Sequence, residues 1–564
     1  MRIRQRTCSW ILAAAISLAC RSDPPATTGD ARGHDETRTD AAARQVHAPT
    51  IADVREWTRA LSTDEMQGRR PGTPGGAKAV AYVRAEMETI GLSPGAGERW
   101  TQTVAMRSVA TDRARSRLAV APPRGRARQL VLGTDLVATT YRAAGTHRVD
   151  APLVFVGYGI TAPEYAWDDY DGLDVSDKVV VVLVGDPPVG PDRFAGDVLT
   201  YYGRWSYKFE RALEAGALGC IVVHEDGPAS YGWNVVENSW SRERFHAVDP
   251  DADLPDAMAI QGWISKATAE QLAKQSGSSL AGWHGEAIAA KFRARDLGSR
   301  LVGEFVTTER RVSDVNVVGR MPGAKWPDEA VVITAHWDHL GMKADARADE
   351  DAVFNGAIDN ASGIAGMLAV ATALQARAAA GRPLGRSVVF LATTGEEEGL
   401  LGSDYYASHP TVPLRHIAAV VNLDSMNVHG RSKTIQVIGP GQTTLEDILA
   451  DIAAAEGRTV VGDEHPGSGG YYRSDHFSFA RRGVPAIYVR GGSEMEDGGA
   501  QRGRELAETK AKHYHTVDDE FDESWSFAGA LQDALTVAEL VARVADAETP
   551  PQWRPSSEFA SVVR

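Results

Sequence analysis

Cysteine is almost missing from this chain of 564 residues, which carries only Cys8, Cys20 and Cys220. The first two lie in or beside an export-like N-terminal stretch, so no disulfide framework can hold the fold. Excess positive charge is missing too. With 60 Lys and Arg against 75 Asp and Glu, the formal net charge is −15, which disfavours nucleic acid as a partner. Beyond the N-terminal stretch no apolar run is long enough to cross a bilayer, so no transmembrane span is expected in the mature chain. No internal repeat is found. What remains is 43% hydrophobic and 24% charged, ordinary for a globular protein and long enough for two or three domains with a large core.

The N-terminus has the pattern of a secretory signal over residues 1–20. Arg2, Arg4 and Arg6 precede a short apolar stretch ending in small residues. Ser17-Leu18-Ala19-Cys20 resembles a bacterial lipobox, with Cys20 as the acylated residue and therefore a lipid anchor. Ser17 stands where leucine is usual, so ordinary cleavage with an unmodified Cys20 is the alternative. Residues 21–49 are poor in large apolar side chains and read as a disordered tether. The chain is expected to be exported, as a periplasmic or outer-membrane-anchored lipoprotein or as a secreted protein.

Residues 51–61 and 77–90 carry apolar side chains at helical spacing, the second run stopped at Gly91. Between them lies the turn-rich loop GRRPGTPGG, residues 68–76. Residues 101–131 alternate as short strands. A block of different character follows, with β-rich runs at 151–160 and 178–185, a helix at 205–215 and a buried strand at 219–224, where Cys220 reads as a packed core thiol. From Arg310 onward, strands at 315–318, 330–335, 387–392, 417–423, 434–438 and 485–489 alternate with helices at 362–379, 445–455 and 527–544. The fold class is therefore α/β, a mainly parallel mixed sheet covered by helices on both faces. The expected organisation is a main domain at 50–125 and 296–550, a small β-rich insert at 126–295 and a tail at 551–564.

The chemistry gathers where strands end. The run at 387–392 breaks at Thr393-Thr394-Gly395 and delivers Glu396, Glu397 and Glu398. Open α/β sheets keep their sites at this edge, and a dication would hold adjacent carboxylates ionised. The alternative is a solvated acidic helix start, favoured by the helix dipole. The strand ending at Ala335 runs into His336-Trp337-Asp338-His339. Here His336 can ligate a metal, Asp338 can take its other ring N–H, and His339 reads as a bystander. Asp359 precedes a helix and is either its N-cap or a ligand. Asp424 follows an apolar run, which is costly unless it is paired or metal-bound. The run KHYHTVD adds His513 and His515, with Tyr514 between them. Zinc takes imidazole nitrogen and carboxylate oxygen. The set His336, Asp359, Glu397, Asp424 and His515 is one donor too many for a single closed tetrahedral ion, and with one bridging carboxylate it suits two.

The segments TAHWDHLG, GAIDNASG, TTGEEEGLLGS, VVNLDSM, YYRSDHFSFARRGVPAI and YHTVDD, together with GRRPGTPGG, resemble the co-catalytic two-zinc aminopeptidase family, whose relatives include glutamate carboxypeptidase and transferrin receptor. The resemblance implies a zinc exopeptidase acting on peptide substrates, with two zinc ions per chain. His336 and Asp424 would hold one ion, Glu397 and His515 the other, and Asp359 would bridge them, often with a cis peptide bond after it. Glu396 would be the general base, Glu398 would be solvated, Asp338 would support His336, and Tyr514 would bond the oxyanion. Arg473, Asp475 and His476 are carried over as substrate-lining. Gly157-Tyr158-Gly159, Asp168-Asp169-Tyr170, the stretch 174–179 and the run ALEAGALGCIVV resemble a protease-associated domain, the alternative being an extra sheet of the main domain. Aminopeptidase is the leading expectation. The alternatives are a carboxypeptidase or dipeptidase using Arg473, Arg481 or Arg482 as a cationic pocket, a one-zinc glutaminyl-cyclase-like acyltransferase, and a metal-free binding protein on the same scaffold.

Overall fold

The computed structural model describes residues 47–190, 193–248, 257–289, 291–343, 346–347 and 349–564. The signal-like segment and residues 21–46 of the expected tether lie outside them.

The strand Trp326–His336, with Arg386–Thr393 on one side and Ile417–Leu423 on the other, forms the parallel centre of the main sheet. Ala486–Gly491 adds a further parallel strand beside Ile417–Leu423, Thr434–Ile438 pairs antiparallel with Ala486–Gly491, and Thr459–Val461 lies parallel beside Thr434–Ile438. On the other side the C-terminal part of Arg295–Met321 pairs antiparallel with Arg386–Thr393. Every residue of Ile417–Leu423 and of Arg386–Thr393 is buried, as expected for strands covered on both faces. The helices Ile51–Leu61, Ser362–Ala379 and Ala528–Asp546 pack together on one face. One expectation needs correction here: the stretch Ala357–Ala379 is apolar and long enough to cross a membrane, though 94% of its most apolar window is buried in this core. Residues 551–564, expected as a tail, pack onto the same module. There Phe559 is buried, and Trp553 Nε1 donates to the Gly483 carbonyl at 2.9 Å.

A second core gathers between residues 118 and 305, around Phe155, Val181, Ile221, Trp283 and Phe305. Its parallel strands Gly145–Phe155, Val179–Leu183, Gly219–Val223 and Ile260–Ile264 lie side by side. The expectation of a short strand at 315–318 needs correction. Arg295–Met321 is one 27-residue strand, pairing with Gly145–Phe155 at its start and with Arg386–Thr393 at its end. It carries the sheet from one module into the other, and its burial pattern changes on the way, which hides its length from periodicity.

Candidate metal centre

Four of the five expected donors sit at or just past the carboxyl end of a buried strand or at the start of a buried helix, and His515 follows the largely exposed helix Gly499–His513. His336 is the last residue of Trp326–His336, and Asp424 follows Ile417–Leu423 directly. The turn after Arg386–Thr393 places Glu396 and Glu397, with the Gly402 N–H donating to the Thr394 carbonyl at 2.8 Å. A Cβ on Gly402 would stand 2.4 Å from both that carbonyl and Asn316 Oδ1, so glycine is required there. Gly356, at φ +55, makes the left-handed turn before Asp359, and a Cβ there would meet the Asp359 carbonyl at 2.3 Å. The Asp359–Asn360 peptide is cis.

The five donors converge. Asp359 Oδ1 lies 3.3 Å from His336 Nε2, and Asp359 Oδ2 lies 3.4 Å from His515 Nε2. Asp424 Oδ1 is 3.9 Å from His336 Nε2, and Glu397 Oε2 is 3.0 Å from His515 Nε2. Glu396 Oε2 stands 3.9 Å from His336 Nε2, on the side of Asp424. Donors bound at about 2.0–2.2 Å in a tetrahedron are about 3.3–3.6 Å apart; the two Asp359 separations match this, and those of 3.0 and 3.9 Å bracket it. His515 Nε2 is buried without a hydrogen-bond partner. One Asp359 oxygen faces each histidine, the arrangement a bridging carboxylate needs.

The charges press on one another. Burial opposes ionisation of Glu397, but the fields of His515 and His339 outweigh it and hold its carboxyl at about 2. Burial alone would lower His515, yet Glu397 and Asp359 lift it to about 10. Glu396 is pushed well above the usual carboxylate range by burial, and by Glu397 and Asp424 beside it. Several buried acids packed this closely need cations among them.

Several expected roles are corrected. Asp338 does not hold His336 through its carboxylate, which is 4.0 Å from Nδ1; the Asp338 carbonyl is nearer, at 3.1 Å. The chain curls at the strand exit, so the carbonyl faces the imidazole and Asp338 Oδ1 accepts the Glu396 backbone N–H at 3.2 Å. His339 is no bystander, because its Nδ1 lies 2.7 Å from Glu397 Oε1 and fixes that carboxylate. Asp475 and His476 do not line a substrate cleft, since both are fully buried where a short helix tucks under the sheet. Asp475 accepts from Thr393 Oγ1 at 2.5 Å, and His476 packs against Tyr471 and Tyr488. Arg473 donates to Ser230 Oγ of the second module at 2.7 Å, while its charge also acts on Tyr514 beside the centre. Glu398 is not solvated but paired with Arg70 at 3.2 Å. Tyr514 is half exposed and stacks on His515 with ring centroids 3.8 Å apart.

Sequence reasoning misses three supports. Asp519 accepts the backbone N–H groups of Ile358 and Asp359 at 2.9 and 3.0 Å. Ser474 donates to Asp424 Oδ2 at 2.8 Å. Buried Arg69 donates to the carbonyls of Trp337, Asn355 and Gly356, tying the two ligand loops together. Asp519, beside the exposed Asp518, looks in sequence like ordinary turn polarity, and only GRRPGTPGG flags Arg69.

Comparison with known proteins adds the family. The chain is similar in structure to an aminopeptidase from Aneurinibacillus sp. strain AM-1, with TM-score 0.50 and 16% identity over 91% of this chain and 96% of that one. It also matches a zinc aminopeptidase from Bacillus subtilis, with TM-score 0.45 and 18% identity over 92% and 99%. At such identity the first likeness shows the fold. The sequence model described as Peptidase family M28 matches residues 316–538, a stretch that contains all five donors and Glu396. The match to peptidase family M28 thus spans less than half of the chain, and it is the stretch that carries the metal-type donors.

Proposed function

We propose that the protein is a zinc-dependent exopeptidase, an aminopeptidase that hydrolyses N-terminal residues from peptides at a two-zinc centre. The observation that carries this is the Asp359 carboxylate, one oxygen toward His336 and the other toward His515, with Asp424, Glu397 and Glu396 around it. His336, Asp424 and Asp359 would hold one ion, and Glu397, His515 and Asp359 the other. Bound there, zinc supplies Lewis-acid polarisation of the scissile carbonyl and makes water a nucleophile near neutral pH.

The chain's own residues do the rest. Glu396, whose carboxylate accepts no hydrogen bond among the described residues, takes the attacking water's proton and returns it to the leaving amine. Tyr514, held beside His515, offers its hydroxyl to the oxyanion. Asp519 and Arg69 keep the ligand loops in place, so positioning requires little movement during reaction. The acidic surround of the centre suits a free substrate ammonium.

Digestion of a peptide library with free and blocked termini, with zinc content determined in parallel, tests this. Release of N-terminal residues from free peptides, and none from N-acetylated ones, is expected. Cleavage indifferent to the N-terminus overturns the aminopeptidase assignment. One observation favours a carboxypeptidase as the second reading. Arg481 and Arg482 both pair with Asp404, whereas Arg473 has no ion-pair partner among the described residues. Amidation of the substrate C-terminus would abolish turnover only in that case.

A further inference from the structure

The three consecutive glutamates divide their work, and the third faces away from the metal side. Its side chain is 12% exposed, and those of its partners Arg70 and Arg244 are 16% and 10%. Glu398 Oε1 accepts from Arg70 Nη2 at 3.2 Å, and Oε2 accepts the Phe245 backbone N–H at 3.4 Å, with Arg244 Nη1 at 4.0 Å. The same Arg70 nitrogen donates to the Glu243 carbonyl at 3.0 Å, and its guanidinium lies 5.0 Å from the Phe245 ring centre. Glu243 is itself gripped at 2.6 and 2.8 Å by Arg310, on the long strand that joins the modules. Arg70 comes from the glycine-rich loop, Glu243 to Phe245 from an arm at the strand Arg244–Ala247, and Glu398 from the catalytic turn. Three separate parts of the chain thus meet on one carboxylate.

We propose that Glu398 is a positioning residue. Clamped by Arg70 and by the 243–245 arm, it fixes the turn from which Glu396 and Glu397 are presented. The turn is short and is braced internally by the N–H groups of Gly399 and Leu400 on the Glu396 carbonyl at 2.9 Å each, and at its start by Asn316, which accepts the Thr394 N–H at 3.1 Å. Its other anchors, Asp338 on the Glu396 N–H and His339 on the Glu397 carboxylate, lie on the metal side. Glu398 is the outer anchor, and it makes the placement of the base depend on the arm. A displacement of about 1 Å in such a group costs roughly 10²-fold in rate, so the device acts on turnover rather than on substrate affinity.

The proposal rests on the peptidase reading, and the experiment separates the two. Steady-state kinetics on the best peptide substrate would be measured for the unchanged chain, Glu398→Gln, Glu398→Asp, Arg244→Gln and the Glu398→Gln/Arg244→Gln double variant. Zinc content and melting temperature would be followed alongside, well below each variant's melting. No turnover by the unchanged chain sinks the peptidase reading itself. Given turnover, Glu398→Gln is expected to lower kcat about 10- to 100-fold, with KM and zinc content little changed. Glu398→Asp should recover part of the loss. Arg244→Gln should act in the same direction, and the double variant should be no worse than the poorer single one, as for residues acting through one link. A kcat for Glu398→Gln within about threefold of the unchanged chain, or losses that multiply in the double variant, overturns the proposal. Should Glu398→Gln fail to fold, Arg244→Gln against Arg244→Lys carries the test on the same criteria.

Discussion

Two regions of this molecule bury charged side chains, and they do so in opposite ways. In the second module Asp169 accepts the backbone N–H groups of Tyr158 and Ile160 at 3.0 Å each and the Trp167 indole N–H at 2.9 Å. Asp186 accepts the Thr200 N–H and hydroxyl at 2.6 and 2.9 Å, and Lys208 donates to the Gly185 carbonyl at 3.1 Å. Fixed local dipoles answer every one of these charges. Burial still pushes Asp169 up to about 7 and draws Lys208 down to about 8. At the carboxyl edge of the main sheet, Asp359, Glu396, Glu397 and Asp424 instead face one another and the imidazoles of His336, His339 and His515. Saturated buried charge holds a fold together. Unsaturated, mutually repelling charge costs stability and is kept where a cation and a reaction require it.

The largest effect should come from the shared carboxylate. Asp359→Asn is expected to lose zinc and to lower kcat/KM by about 10⁴-fold, the several kcal/mol that carbonyl polarisation supplies, while circular dichroism stays unchanged. Retained zinc and activity would make the two regions alike and break the comparison. Glu396→Gln comes next, with zinc retained and turnover lowered by ~10³-fold; a variant that turns over normally removes Glu396 from the mechanism. His339→Ala, which frees the Glu397 carboxylate, should weaken zinc binding by about 10- to 100-fold in competition with a chelator. The smallest effect on chemistry belongs to the other region. Asp169→Asn should cost about 1–3 kcal/mol of stability in a denaturant melt, with kcat/KM of the folded enzyme unchanged. A catalytic loss there at constant stability would show that the second module's charges also serve the reaction.

The donor set is legible in the sequence because His336, Glu397 and Asp424 each end or closely follow an apolar run, where a buried charge is conspicuous. The helices Ile51–Leu61 and Ser362–Ala379 fall where their apolar spacing puts them. Partners distant in the chain are what periodicity cannot supply. Glu396, Glu397 and Glu398 look alike until Arg70 and Phe245 are brought to the third from 328 and 153 positions away. The helix Gly499–His513 gives no signal either, because Gly503 is its only fully buried residue and no apolar stripe is needed. Asp475 and His476, carried over by resemblance, lie in a segment whose whole short helix is buried, so motif matching places them near the site without saying which side of the sheet they face.

The most direct test of the paired-cation centre is zinc titration into chelator-treated protein, with bound metal counted and peptide hydrolysis followed on the same samples. Two zinc ions per chain at saturation are predicted, with no turnover at zero metal and activity rising as the sites fill. Saturation at one ion, or full turnover in a verified metal-free sample, would contradict the account.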